Sequence, residues 1–189
     1  MSTTGLRDVD IERDTSIRAR IPVLKSASIV MSGLPGMDIA RNGDAYLNLE
    51  RCELSFEVLA HYNVAVIYLL VEEHELPEGA RLAIEASAGV YQIETVWMPI
   101  RDFDIPGQAV TSNWSNHRQY RKKLIVEEKS ICMACLYGAG RSGMMAASLI
   151  CETGKSPGDS IRYVRQYFSE AIGNEKQENW IKSGLFLSQ

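Results

Sequence analysis

Four short apolar runs rich in β-branched residues stand out from an otherwise mixed chain: "SIVMSG", "VAVIYLLV" (64–71), "VYQIETVWMPI" (90–100) and "SICMA" (130–134). Each predicts a strand. Between them lie stretches with helical spacing, "LERCELSFEVLAHY", "PEGARLAIEASAG" and "AVTSNWSNHRQYRKKLIVEE". The second is expected to start near Pro77 and stop at Gly89. The third places Val110, Trp114, His117 and Leu124 on one stripe of a single helix. "RSGMMAASLICETG" (141–154) is apolar nearly all round and predicts a central buried helix ending at Gly154, with Met144 and Met145 as core. In "SPGDSIRYVRQYFSEAIG", Ser156 is the expected N-cap, Pro157 the first helical residue and Asp159 a first-turn acid; Ile161, Val164 and Phe168 face inward. A last helix is expected in "EKQENWIKSGLF". Strands and helices alternate, which predicts an α/β fold with a parallel or mixed sheet covered by helices on both faces.

The length of 189 residues fits a single domain over 21–189, preceded by a polar, mixed-charge segment, 1 to about 20, that reads as a flexible tail. That segment lacks the apolar core of a signal peptide, so a cytoplasmic location is expected. A net charge of −4 gives no global pull toward nucleic acid or anionic membrane, and no apolar run is long enough to span a bilayer. The basic run "HRQYRKK" (117–123) reads as a solvated helix face, with a polyanion docking surface as the sharper alternative. Four cysteines, Cys52, Cys132, Cys135 and Cys151, do not make a disulfide framework. His61, His74 and His117 share no metal-binding spacing, so neither a metal nor a cofactor is expected.

The chemistry concentrates in "ACLYGAGRSG", which sits between a predicted strand and a predicted helix. A strand, a glycine-rich turn and a helix N-terminus together make an anion site, because successive backbone N–H groups point inward with the positive helix end behind them. Gly138 and Gly140 permit the positive φ angles such a turn demands. Arg141 can fork two hydrogen bonds onto a tetrahedral oxyanion. The same field favours the thiolate form of a cysteine placed where Cys135 is. The spacing therefore predicts a nucleophile at the floor of a phosphate-sized cup.

The pattern Cys-x5-Arg-Ser, as Cys135, Arg141 and Ser142, resembles the signature loop of the protein tyrosine phosphatase superfamily. "WMPIRDFDIPG" is similar to that family's acid loop, an aspartate followed four residues later by proline, here Asp102 and Pro106. "GNEKQENW" resembles the late glutamine segment of small dual-specificity phosphatases and points at Gln177. "SGLPG" and "LLVEEHEL" are similar to stretches of kinase-associated phosphatases, which act on cyclin-dependent kinases. The resemblance covers roughly residues 26 to 186.

It implies the cysteine-phosphatase fold, a mostly parallel twisted sheet flanked by helices, and metal-free hydrolysis of phosphate monoesters through a phosphocysteine. Cys135 would be the nucleophile and Asp102 the general acid and then base, with the neighbouring Asp104 as the rival. Leu136, Tyr137, Gly138, Ala139, Gly140 and Arg141 would bind phosphate, Gln177 would position water, and Ser142 would stabilise the departing thiolate. The variable positions Leu136, Tyr137 and Ala139 carry no lysine, which favours phosphotyrosine and phosphoserine/threonine in a protein partner, a kinase among the candidates, over inositol lipids. One position departs: Ala134 stands where the family usually has histidine. A weak or inactive phosphate-binding module is therefore the alternative, and the pair Cys132 and Cys135 also allows a redox reading, with a protective disulfide between them.

Overall fold

The computed structural model describes residues 10–187. In chain order, α1 (Ile11–Asp14) leads into β1 (Ile17–Leu24), β2 (Ala27–Ser32) and a small hairpin, β3 (Met37–Ile39) and β4 (Ala45–Leu47). Then come α2 (Leu49–His61), β5 (Val64–Leu69), a 3₁₀ turn at Glu73–Glu75, α3 (Ala80–Val90), β6 (Glu94–Trp97), α4 (Gln108–Asn116) and α5 (Arg118–Val126). The chain continues through β7 (Ser130–Ala134), α6 (Gly140–Glu152), α7 (Pro157–Tyr167) and α8 (Glu175–Ser183). The main sheet runs β1-β2-β7-β5-β6, parallel throughout except for the β1/β2 pair.

All five residues of β7 are buried, as a central strand covered on both faces requires. Ile29, Met31, Val66, Tyr68, Ile131 and Met133 pack on one side with Met144, Met145, Leu149 and Ile150 of α6. Val30, Ile67, Leu69, Cys132 and Ala134 pack on the other with Phe56 and Leu59 of α2 and Ile84 of α3. Burying an Ile, Leu or Phe side chain contributes roughly 1.5–3 kcal/mol, so the sandwich holds β7 firmly at the molecular centre. Every side chain from Arg141 to Cys151 is buried, as expected of a central helix. The Ser156 hydroxyl caps α7 by accepting from Asp159 N, with Pro157 in the first turn.

Four expectations change. The tail is expected over residues 1 to about 20. Residues 1–9 lie outside the described residues, but 10–20 form α1 and the first half of β1, an edge strand whose Ile17, Ala19 and Ile21 point inward. The helix over 109–128 divides at His117, whose backbone ends α4 and begins α5. α3 starts after Gly79 rather than at Pro77 and runs through Gly89; Gln92, with positive φ, reverses the chain, so the third strand shrinks to Glu94–Trp97. The basic run is not uniformly solvated. Arg121 is fully buried, stacked on the Trp114 ring at 3.5 Å and paired with Glu152.

β5, β6 and β7 are parallel, and their carboxyl ends come together at one edge of the sheet. In open α/β sheets that edge is where a ligand crevice forms.

Candidate active site

Cys135 follows β7 directly, 3% exposed, and its amide donates to the Ser32 carbonyl at 3.2 Å. The following loop bends tightly around the sulfur. Gly138 N donates to Cys135 Sγ at 3.2 Å. Gly138 has φ +96, and a Cβ there would lie 2.5 Å from Gly33 N and 2.6 Å from Ser32 C, so glycine is required on two counts. The carbonyls of Leu136, Tyr137 and Ala139 are engaged outside the loop, by Leu34 N, Arg18 Nε and Ile172 N. Because C=O and N–H are antiparallel across a trans peptide, this turns the N–H groups of Tyr137, Gly138 and Gly140 toward the interior of the cup. The start of α6 adds its positive end.

Arg141 is 2% exposed and fixed from three sides. Its Nη1 donates to Glu75 Oε2 at 2.7 Å and Ile100 O at 2.9 Å, and its Nη2 to Glu75 Oε1 at 2.8 Å. Leu70 O lies 3.4 Å from Nη1 and Asp102 Oδ1 3.1 Å from Nη2. Among the described residues, Arg141 Nε is buried with no partner. Burial works against the arginine's charge, but the Glu75 carboxylate, then Cys135 and Asp102, outweigh it and raise its pKa. Burial likewise works against the Glu75 charge, yet the Arg141 hydrogen bonds and the Glu72 amide hold Glu75 below the usual carboxylate range.

Asp102 is about half exposed and accepts the Phe103 amide on Oδ1 at 3.0 Å. Asp104 is turned away toward α8. Lys176 Nζ and the Ile105 amide bind its carboxylate and lower its pKa, which keeps it ionised and makes it a poor proton donor. Gln177 is buried; its Oε1 accepts Gly173 N at 2.9 Å and its Nε2 donates to Asp104 O at 3.2 Å. Ser142 is buried with its hydroxyl on the Ser32 carbonyl at 3.3 Å. A cavity of about 290 Å³ is lined by Asp102, Cys135, Leu136 to Tyr137, Ala139 to Arg141 and Gln177, with Phe103 and Glu170 at its walls. Of the expected site residues, all but Gly138 and Ser142 line this one hollow; Gly138 N reaches the Cys135 sulfur and Ser142 follows Arg141 in α6.

Cys132 behaves differently. Side chains alternate along a strand, so a three-residue step sends Cys132 and Cys135 to opposite faces of the sheet. Burial pushes the Cys132 thiol far up. A disulfide between them would need β7 to be rebuilt, which removes the structural basis of the redox reading. Among the described residues no His, Cys, Asp and Glu side chains group to hold a metal, and no helix is long and apolar enough to cross a membrane.

One contributor is absent from the sequence expectations: Glu75, which braces Arg141 through two hydrogen bonds. Its only sequence signal is its place in "LLVEEHEL".

The family model described as "Tc-R-P: Polymorphic toxin system, DSP-PTPase phosphatase" matches residues 44–155, a span that contains Asp102, Cys135, Arg141 and Ser142. The chain belongs to this DSP-PTPase family. Among curated proteins no sequence matches it. The DSP-PTPase fold recurs in solved structures. Kinase associated phosphatase, carrying serine for its catalytic-site cysteine, is 21% identical, with 87% of this chain and 90% of that one covered and a TM-score of 0.68. PTPMT1 in complex with PI(5)P is 16% identical, covering 85% and 91%, with a TM-score of 0.61. Human tyrosine phosphatase-like serine/threonine/tyrosine-interacting protein is 12% identical, covering 88% and 95%, with a TM-score of 0.59. These likenesses establish the cysteine-phosphatase fold expected from the sequence; they do not fix the substrate, because one fold hosts many functions.

Proposed function

We propose that this DSP-PTPase chain hydrolyses phosphate monoesters through a phosphocysteine, with every step carried by side chains and loop amides. The observation that supports this most is the buried, unpartnered Nε of Arg141 on a residue lining the Cys135 cavity. A buried unpaired donor is costly, and a phosphate oxygen would satisfy it.

The Cys135 thiolate attacks phosphorus, forming the S–P bond as the ester P–O bond breaks. Asp102 delivers a proton to the departing oxygen. The inward N–H groups and Arg141 carry the charge on the three equatorial oxygens. Water then attacks the phosphocysteine and gives its proton to Asp102, releasing inorganic phosphate and the thiolate. Gln177 uses its second Nε2 hydrogen to orient that water, and Ser142 turns its hydroxyl from Ser32 O to the departing sulfur. Exposed Phe103 and Tyr137 border the mouth, and Leu136 and Ala139 add no cation. That lining suits phosphotyrosine and phosphoserine/threonine in a protein, a kinase among the candidates.

A second reading, a phosphate-binding module without turnover, is favoured by Ala134. It is fully buried against the α2 and α3 side and offers no side-chain hydrogen bond where the family usually has histidine. Steady-state hydrolysis of a small aryl phosphate separates the two. Turnover abolished by Cys135→Ser, and cut by ~10²-fold or more in Asp102→Ala, supports the enzyme. Phosphate binding with no turnover supports the module.

A further inference from the structure

The start of α8 holds the acid loop through contacts that the proposed chemistry does not use. Asn174 Nδ2 donates to Phe103 O at 3.0 Å, Gln177 Nε2 donates to Asp104 O at 3.2 Å, and Lys176 Nζ lies 2.5 Å from Asp104 Oδ1. Three donors from one helix start thus converge on the two residues that follow Asp102. The helix start is itself fixed, with Asn174 Oδ1 accepting Gln177 N and Gly173 N donating to Gln177 Oε1. On the loop side, Asp104 Oδ1 also accepts Ile105 N at 2.7 Å and Asp104 N donates to Arg101 O at 3.0 Å.

Phe103 shows what these contacts resist. Its φ is +56, a left-handed conformation that a bulky residue keeps only where its surroundings enforce it. Its side chain is 72% exposed, so packing of the ring does not supply that restraint. The polar contacts on either side of its peptide do.

We infer that Asn174, Lys176 and Asp104 form a clamp that sets the acid loop in place before a phosphate arrives, making them positioning residues for proton delivery by Asp102. The inference rests on the proposed reading of Asp102 as the general acid. The clamp keeps Asp102 at the cavity, its Oδ1 3.1 Å from Arg141 Nη2 in a contact that an arriving phosphate would take over, so the carboxyl is in place without a closing step. Holding a catalytic group in position beforehand lowers the entropic part of the barrier.

The test uses the full chain and the double variant Asn174→Ala/Lys176→Ala, with Lys176→Arg as the conservative control. Amide hydrogen exchange at Asp104 and Ile105 without ligand is expected to be about tenfold faster or more in the double variant. Unchanged exchange overturns the clamp whether or not the protein turns over. The second readout is the ratio of kcat/KM, which reports the first step alone, on phenyl phosphate, whose leaving oxygen needs a proton, to that on dinitrophenyl phosphate, whose leaving oxygen does not. The double variant is expected to lower this ratio by roughly 10- to 100-fold, and Lys176→Arg to keep it near wild type. Equal losses on both substrates, with the ratio unchanged, mark a general structural role and overturn the inference. A wild-type protein inert on both substrates refutes the phosphatase reading instead, and hydrogen exchange still decides the clamp.

Discussion

Glu75 meets Arg141 edge to edge, its two carboxylate oxygens 2.7 and 2.8 Å from the two terminal guanidinium nitrogens. The pair orients the arginine so that its remaining N–H is left for the cavity. A planar fork bound in this way has one allowed rotation, which a lysine or a lone hydrogen bond would not impose. Glu75→Gln keeps the shape but loses the charge and one acceptor. It is expected to reduce kcat/KM on a small aryl phosphate by about 10²-fold through misplacement of Arg141, with the fold retained. Steady-state kinetics beside circular dichroism check this.

The same pair ties stability to acidity. The Glu75 carboxyl is held below its usual range in the folded chain, so its contribution is fully present above its unfolded value of about 4.3. It is lost as pH falls through the lower folded value. Denaturant midpoints are expected to fall with pH below about 4.3 in the wild type, and to fall less steeply in Glu75→Gln. Parallel curves for the two proteins would remove Glu75 from the acid response.

Gly138 is the loop position least able to change. Gly138→Ala would force a positive φ on a residue with a Cβ and press that Cβ on the Ser32–Gly33 backbone. Backbone strain alone costs about 1–3 kcal/mol. The expected result is a lower melting temperature together with loss of inorganic phosphate binding, read by calorimetry.

Arg121 and Glu152 form a second, purely structural pair, with side chains 0% and 1% exposed. Removing Arg121 leaves the buried Glu152 carboxylate with the longer 3.7 Å contact to Arg118 Nε, at a cost of about 3–5 kcal/mol. Arg121→Met is expected to lower stability on that scale in chemical denaturation, whereas the double change with Glu152→Leu should recover much of it. The sequence run "HRQYRKK" hid this residue, because a burial partner on α6 is not visible in local charge.

Other features were legible for identifiable reasons. β7 and α6 declare themselves because a strand and a helix buried on every side need continuous apolar sequence, and α7 because its cap chemistry is local. The cysteine-to-arginine loop was legible because its cysteine, glycines and arginine lie within a few positions of one another in the chain. Glu75 was not, since its meaning depends on the 3₁₀ turn after β5 being brought against the start of α6. β1 escaped because Arg18 and Arg20 interrupt its inward residues, so the alternation reads as mixed polarity until the edge of a sheet is placed beside it. The division at His117 leaves no proline or glycine to mark it.

Mild peroxide offers a simple check on the cysteine pair. With Cys132 and Cys135 on opposite faces of the sheet, mass spectrometry is expected to find no linkage between them after oxidation. A substantial linked fraction would show that β7 rearranges.

Acid-quenched mass spectrometry of Asp102→Ala mixed with an aryl phosphate that has a good leaving group tests the central claim most directly. That substrate needs no proton for the first step, while the second step lacks its base, so a phosphoryl group is expected to accumulate on the peptide carrying Cys135. Turnover with that peptide unmodified, or a phosphoryl group on any other side chain, would contradict the account.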